Sequence, residues 1–388
     1  MKHINEPEKV EVEELANMHG GDIYRHNSEY DFSANINPLG VNERILKAAT
    51  DSLKDMANYP DVVCSKLRMA LAQKLSVKPE WLYFGNGAAD VLFTLVLALK
   101  PKRALLLSPT FSEYEQALQS VDCQIDYYTL TEENAFTLMP DYLQLLTDEL
   151  DLLVLCNPNN PVGNTIPTST LHAILATCKT HGIGVIMDEC FNDFLDNPKE
   201  NTLTNELAFH NNIYILKAFT KMYAMAGLRL GYLITSNFDV LVCMNKVSQP
   251  WSVSIPAQAA GVAAVNEDEY VEGTKRYIGK EREYLCRELE DMGIKVYKPE
   301  ANYIFFHHPL DWYKELLAHR ILIRDCSNYK GLTKGYYRIA VRQKEENQQL
   351  IRVMKEILAT VTCPLVDSSW HDTHSLHQEL CLQEEHIG

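Results

Sequence analysis

The feature that most constrains this chain is a rhythm between residues 88 and 245, where an apolar run rich in Leu, Ile and Val is followed, repeatedly, by a longer stretch with helical periodicity. That alternation is the sequence sign of an α/β layered domain. AADVLFTLVLAL reads as a helix and ALLLSP as the strand after it. An amphipathic stretch covers residues 112–121, QIDYYTL is a second strand, and a helix is expected from about Asp141. LLVLC then runs into NPNNPVG, where Pro158, Pro161 and Gly163 stop either kind of element. A helix over residues 168–181 leads to GVIMDE, and IYILKAF and RLGYLIT complete the set. Loops at the strand ends carry Asn, Asp and Lys, which is where an open α/β sheet places its ligand site.

From about Ile255 the pattern becomes α+β: long helical segments, TKRYIGKEREYLCRELEDM among them, precede the short strands KVYKP, NYIFFHH and GYYRIAV. Periodicity is lost from Cys363 onward. The formal net charge of −16 argues against broad attraction to nucleic acid or anionic lipid, either of which needs a basic face. A phosphate-bearing partner would have to be met locally. No stretch approaches the roughly 18 to 20 apolar residues of a membrane span, and MKHINEPEKVEVEEL lacks the apolar core of a signal peptide, so a cytoplasmic location is expected. The 10 cysteines show no regular pairing, which suggests reduced thiols and no structural disulfide.

Three segments carry chemistry. In TKMYAMAGLRLGY, Lys221 at the mouth of a sheet can form an imine with an aldehyde cofactor, while Arg229 can clamp the phosphate of that cofactor with its fork of donors. Asp188 follows a buried-strand pattern in GVIMDE, an expensive place for a carboxylate unless a cation or donor meets it. A protonated pyridine nitrogen is such a partner. In NPNNPVG, Asn160 can hydrogen-bond a ring oxygen, although Asn at a strand end is more often a turn former.

In order and spacing these segments resemble the signature of class I/II aminotransferase-like enzymes that use pyridoxal 5'-phosphate (PLP), and the resemblance extends to about residue 362. It implies an α/β, fold-type I PLP-dependent transferase with a large α/β/α domain on a mostly parallel sheet, a smaller α+β domain built from both chain ends, and an active site at a homodimer interface. The implied division is residues 1–44 as an N-terminal arm and part of the small domain, 45–254 as the large PLP-binding domain, 255–362 as the small domain and 363–388 as a Cys/His-containing tail. By the same resemblance Lys221 carries the cofactor, Asp188 meets the pyridine nitrogen and Asn160 the 3′ oxygen. Thr220 and Arg229 match phosphate ligands, as do Gly87, Ala88 and Ala89, whose backbone N–H groups open a helix beneath the phosphate. Phe111 matches the aromatic that stacks on the ring, and Tyr59 a tyrosine lent to the neighbouring subunit. The chain departs from the family pattern in offering Ala88 and Ala89 after GNG, Ala218 in place of a hydroxyl, and Phe191 in place of a tyrosine.

The chain ends narrow the resemblance. His19-Gly20-Gly21, the stretch DFSANINPLG, IRDCSNY and YRIAVR are similar to segments of the threonine-phosphate decarboxylases of cobalamin biosynthesis. This implies that Arg338 holds a substrate carboxylate while Arg324, His19 and Asn35, with Gly20 beside them, meet a substrate phosphate. Independently, Arg229, Arg324, Arg338 and Arg342 fall in motif segments of a strongly acidic chain, and a carboxylate plus two phosphates call for such donors. The expected partner is a small phosphorylated amino acid. Histidinol-phosphate aminotransferases are the alternative, and a PLP-binding regulatory module a more distant one, for which the acidic N-terminus offers no DNA-binding domain. PLP chemistry needs no metal; His371, His374, His377 and Cys381 in the tail are weak candidates for one, in a spacing that matches no standard zinc pattern.

Overall fold

The structure is a computed structural model that describes residues 19–362. A seven-stranded sheet in the order β2-β8-β7-β6-β5-β3-β4 is made by β2 (Leu82–Gly85), β3 (Arg103–Ser108), β4 (Gln124–Thr129), β5 (Leu152–Cys156), β6 (Gly184–Asp188), β7 (Ile213–Ala218) and β8 (Gly231–Ile234). Only β8 runs against the others. The apolar runs are continuous because successive side chains point to opposite faces and both faces are covered. Leu153, Leu155, Val185, Met187, Ile213 and Ile215 enter one core, with the helices Ser65–Leu75 and Thr168–His181. Leu152, Val154, Ile186, Tyr214 and Leu216 enter a second, beneath the helices Gly87–Leu99, Glu113–Gln119 and Phe238–Val247.

The helix expected from Asp141 is instead a short 3-10 turn, Pro140–Leu145. Tyr142, Leu146 and Leu150 are buried at helical spacing, but this segment must reach Asp151 just before β5, and the Asp151 carboxylate accepts the N–H groups of Lys102 and Arg103 at 2.7 and 3.0 Å. That pin leaves no room for further helical turns.

The smaller sheet has the order β12-β13-β10-β9, from β9 (Lys295–Tyr297), β10 (Tyr303–His307), β12 (Arg324–Asp325) and β13 (Tyr336–Ala340), all antiparallel. A third core fills the space between this sheet and the helices Asp268–Asp291 and Lys344–Thr362. The composition change at Ile255 precedes the packing change, since the helix Ile255–Ala264 still buries Ala257, Ala260 and Ala264 in the first core. The N-terminal segment contributes β1 (Tyr30–Asp31), which pairs in parallel with β11 (Ile321–Leu322). Phe32 then hydrogen-bonds Leu322 and Ala340 through its backbone, and Asn37 donates to Met222 O at 2.7 Å. The arm is thereby stitched to the small sheet on one side and to the segment carrying Lys221 on the other. Among the described residues, no helix is long and apolar enough to cross a membrane.

Candidate active site

The strand ends of β5, β6 and β7, the N-terminus of helix Gly87–Leu99, the arm and the small sheet enclose one cavity of about 300 Å³. Lys221, just past β7, lines it, with Nζ 5.7 Å from the centre of the Phe191 ring. Part of its surface stays open to the cavity, yet protein crowds it closely enough that burial, with the Arg338 charge next, holds its ammonium down to about 8. A lysine so placed keeps a share of neutral amine near neutral pH.

Asp188 ends β6 and is 6% exposed. Its Oδ2 accepts the Tyr114 hydroxyl at 2.6 Å and its Oδ1 the Cys190 N–H at 2.9 Å. These two donors answer the cost of a carboxylate at the end of a buried strand, and four lone-pair directions leave capacity for a further N–H. Asn160 uses its Oδ1 to accept from Arg338 Nη1. A guanidinium can only donate, so the amide oxygen must face the arginine, and the NH2 end is left for an acceptor in the cavity. Phe111 stands edge-on to Tyr114, ring centres 5.6 Å apart, on the same cavity wall.

Around the helix N-terminus, Ala88, Ala89, Thr220 and Arg229 all line the cavity. Gly87 has φ +87°, and a Cβ there would collide with the Arg229 guanidinium. First-turn N–H groups without intrahelical partners, a guanidinium against them and a hydroxyl nearby form a cradle for a phosphate-sized anion.

The opposite wall is cationic. β12 and β13 pair with Arg324 in register with Arg338, so the two guanidinium groups come from neighbouring strands. Both are buried and both line the cavity. Arg338 donates from Nη2 to Ser33 O at 2.9 Å, while its Nε is buried with no partner. Arg324 donates to Asp325 O and Asn328 Oδ1 at 2.8 and 2.9 Å and lies over the Tyr329 ring. His19, Gly20 and Asn35 reach the same wall, and the buried Asn35 Oδ1 also lacks a partner. Gly20 lies so close to Ser33 O that a side chain there would clash. A buried polar atom without a partner costs about 1–3 kcal/mol, so this wall carries polar capacity that the protein itself leaves unused.

Other expected residues are not among those lining the cavity. Tyr59 is 78% exposed, stacks on Trp251 with ring centres 4.5 Å apart, and does not line this cavity. His371, His374, His377 and Cys381 lie outside the described residues. Arg342 pairs with Glu346 at 3.0 Å and does not line the cavity. Tyr114 and Glu113 are the groups that motif reasoning passes over. A signal for Tyr114 existed: a hydroxyl on the apolar face of an amphipathic helix needs a buried acceptor, and Asp188 needs a donor.

The family model for aminotransferase class I and II matches residues 28–354. The threonine-phosphate decarboxylase of Salmonella typhimurium is 37% identical over 335 residues, 85% of this chain and 92% of that protein. The histidinol-phosphate aminotransferase of Caldicellulosiruptor saccharolyticus is 27% identical over 84% of this chain and 91% of that protein. Among solved structures, the histidinol-phosphate aminotransferase from Clostridium acetobutylicum superposes with a TM-score of 0.79 at 27% identity, covering 84% of this chain and 98% of that one.

Proposed function

This chain belongs to the class I and II aminotransferase family, whose fold-type I members work with pyridoxal phosphate, and on that premise we propose that it is a carboxy-lyase converting L-threonine O-3-phosphate to (R)-1-aminopropan-2-yl phosphate, a step of cobalamin biosynthesis. The observation that carries the reading is the register pairing of Arg324 with Arg338 on the wall of the cavity that holds Lys221. Two buried guanidinium groups on adjacent strands suit one small substrate with two anionic groups.

The cavity fits the cofactor. Lys221 is its attachment point, Asp188 the partner of the pyridine nitrogen, and the NH2 of Asn160 the donor to the 3′ oxygen. Gly87, Ala88, Ala89, Thr220 and Arg229 hold its phosphate, and Phe111 packs on its ring. When bound, pyridoxal phosphate supplies an electron sink for whichever Cα bond stands perpendicular to its ring. The protein then decides which bond that is. Arg338 grips the substrate carboxylate from a guanidinium already fixed by Asn160 and Ser33, so the carboxylate has one orientation available. Arg324, His19 and Asn35 hold the substrate phosphate, and Gly20 leaves room for it. Lys221 is the lysine lining this cavity, and its lowered ammonium pKa suits it to return a proton to Cα after CO2 leaves. A second copy of the chain covers the exposed Tyr59 and Trp251 surface and receives Tyr59 at its own phosphate cradle.

Incubation with L-threonine O-3-phosphate, and separately with histidinol phosphate plus 2-oxoglutarate, tests the reading. CO2 from the first without glutamate from the second is expected. Glutamate formation without CO2 would assign the chain to the aminotransferases of histidinol phosphate instead.

A further inference from the structure

Glu113 opens the helix Glu113–Gln119, and its carboxylate forms part of the cavity wall. The side chain is 12% exposed; Oε1 lies 3.1 Å from His19 Nδ1, and Oε2 accepts the Ser112 hydroxyl at 3.1 Å. Arg324 is the other charge close enough to be felt at this carboxyl. Among the described residues, His19 from the arm and Arg324 from β12 are thus the titratable and charged groups acting on it, with the neutral Ser112 hydroxyl as a donor from the residue before the helix. His19 and Arg324, assigned to the substrate phosphate, already have an acidic side chain beside them.

An incoming phosphomonoester brings a second anion to the same wall. Two anions held close together out of bulk water do not both keep full charge, and the pair resolves the conflict by sharing a proton. Burial already pushes the Glu113 carboxyl above its ordinary value, against the opposing pull of His19 and Arg324. A negative ligand pushes it further in the same direction.

We propose that Glu113 takes up one proton from solvent when the substrate phosphate seats between His19 and Arg324, and that the new carboxyl O–H donates a hydrogen bond to a phosphoryl oxygen. The proposal rests on the phosphate subsite described above and makes Glu113 a substrate-binding residue of that subsite. It also sets a pH dependence. Where the ester is already a dianion, affinity falls about tenfold per pH unit, because one proton is bound with each ligand.

Isopropyl phosphate, the phosphorylated secondary alcohol without amine or carboxylate, isolates this event. It is titrated calorimetrically into the holoenzyme at pH 8 in two buffers of different ionisation heat, for the wild type, Glu113→Gln, His19→Gln and Arg324→Ala. The expected result is close to one proton taken up per ligand by the wild type and His19→Gln, and close to none by Glu113→Gln with its cofactor absorbance unchanged. Uptake that survives in Glu113→Gln, or that vanishes with His19→Gln, would overturn the proposal while leaving the phosphate subsite intact. So would wild-type binding without uptake. Failure of the ester to bind the wild type, or binding by Arg324→Ala as tight as wild type, would remove the subsite itself and the proposal with it.

Discussion

Asp188 and Arg338 line the same cavity, but the protein satisfies them to different degrees. Both Asp188 oxygens have donors from the protein, and its strand is locked between two others with apolar cores on either side. Arg338 sits on the small sheet beside the arm with its Nε unpartnered, and Asn35 nearby has an unpartnered amide oxygen. The Asp188 carboxylate is satisfied by the protein alone, whereas Arg338 and Asn35 each keep an atom that it leaves unused. Substitutions on the sheet side should therefore damage chemistry, and those on the arm side should damage use of the substrate while the cofactor stays bound.

The largest effect is expected from Lys221→Ala, which should remove both turnover and the cofactor's near-visible absorbance, because no other lysine among the described residues lines the cavity. A near-visible band that persists in the variant, with reduction then fixing the cofactor as a secondary amine on another residue, would break the assignment. Asp188→Asn should come next: cofactor is retained, but turnover falls on the order of 100-fold, as when one preorganised electrostatic partner of a reaction is lost. Wild-type rates in that variant would make Asp188 a purely structural acceptor for Tyr114.

On the other side, Arg338→Lys should lower kcat/KM about 100-fold with the cofactor spectrum unchanged, since a point charge cannot keep the fork that Asn160 and Ser33 orient. If cofactor were lost in proportion to activity, the contrast between the two walls would fail.

The smallest effect concerns the tie between large and small domains. Glu132 accepts from Lys295, Tyr297 and Tyr336 at 2.6, 2.7 and 2.8 Å, and these hydrogen bonds, Lys295 foremost, hold its carboxyl down to about 2. A carboxyl lowered on folding stabilises the native state above its unfolded value of about 4.3 and loses that contribution as pH falls through its folded value. Glu132→Gln should thus lose about 1 kcal/mol in urea unfolding at pH 7, a modest figure because the group is about a third exposed. The gap to wild type should close between about pH 4 and pH 2. A gap independent of pH would mean the tie is steric.

The sheet side was also the more legible one in the sequence. Strands buried on both faces leave uninterrupted apolar runs, and the residue types at their ends, Asn160, Asp188 and Lys221, are costly there without a ligand. Motifs at the chain ends pointed to His19, Asn35, Arg324 and Arg338, but not to how they would be held. The bond from Arg338 to Asn160 spans distant parts of the chain, and Glu113 and Tyr114 sit on a helix whose pattern reads only as amphipathic. Such contacts arise from the meeting of separate elements, which local periodicity does not encode. The 3-10 turn at Pro140–Leu145 has the same origin, a helical spacing overruled by the tertiary pin at Asp151.

On the proposed function, the arm-side wall presents the carboxylate, not Cα–H, for cleavage. L-Threonine O-3-phosphate deuterated at Cα tests it in one measurement, the mass of the amine product formed in ordinary water. The expected product keeps the deuterium and gains one solvent proton in place of CO2. Loss of the deuterium to solvent, with the carboxylate retained, would show that Cα–H is the bond this cavity breaks.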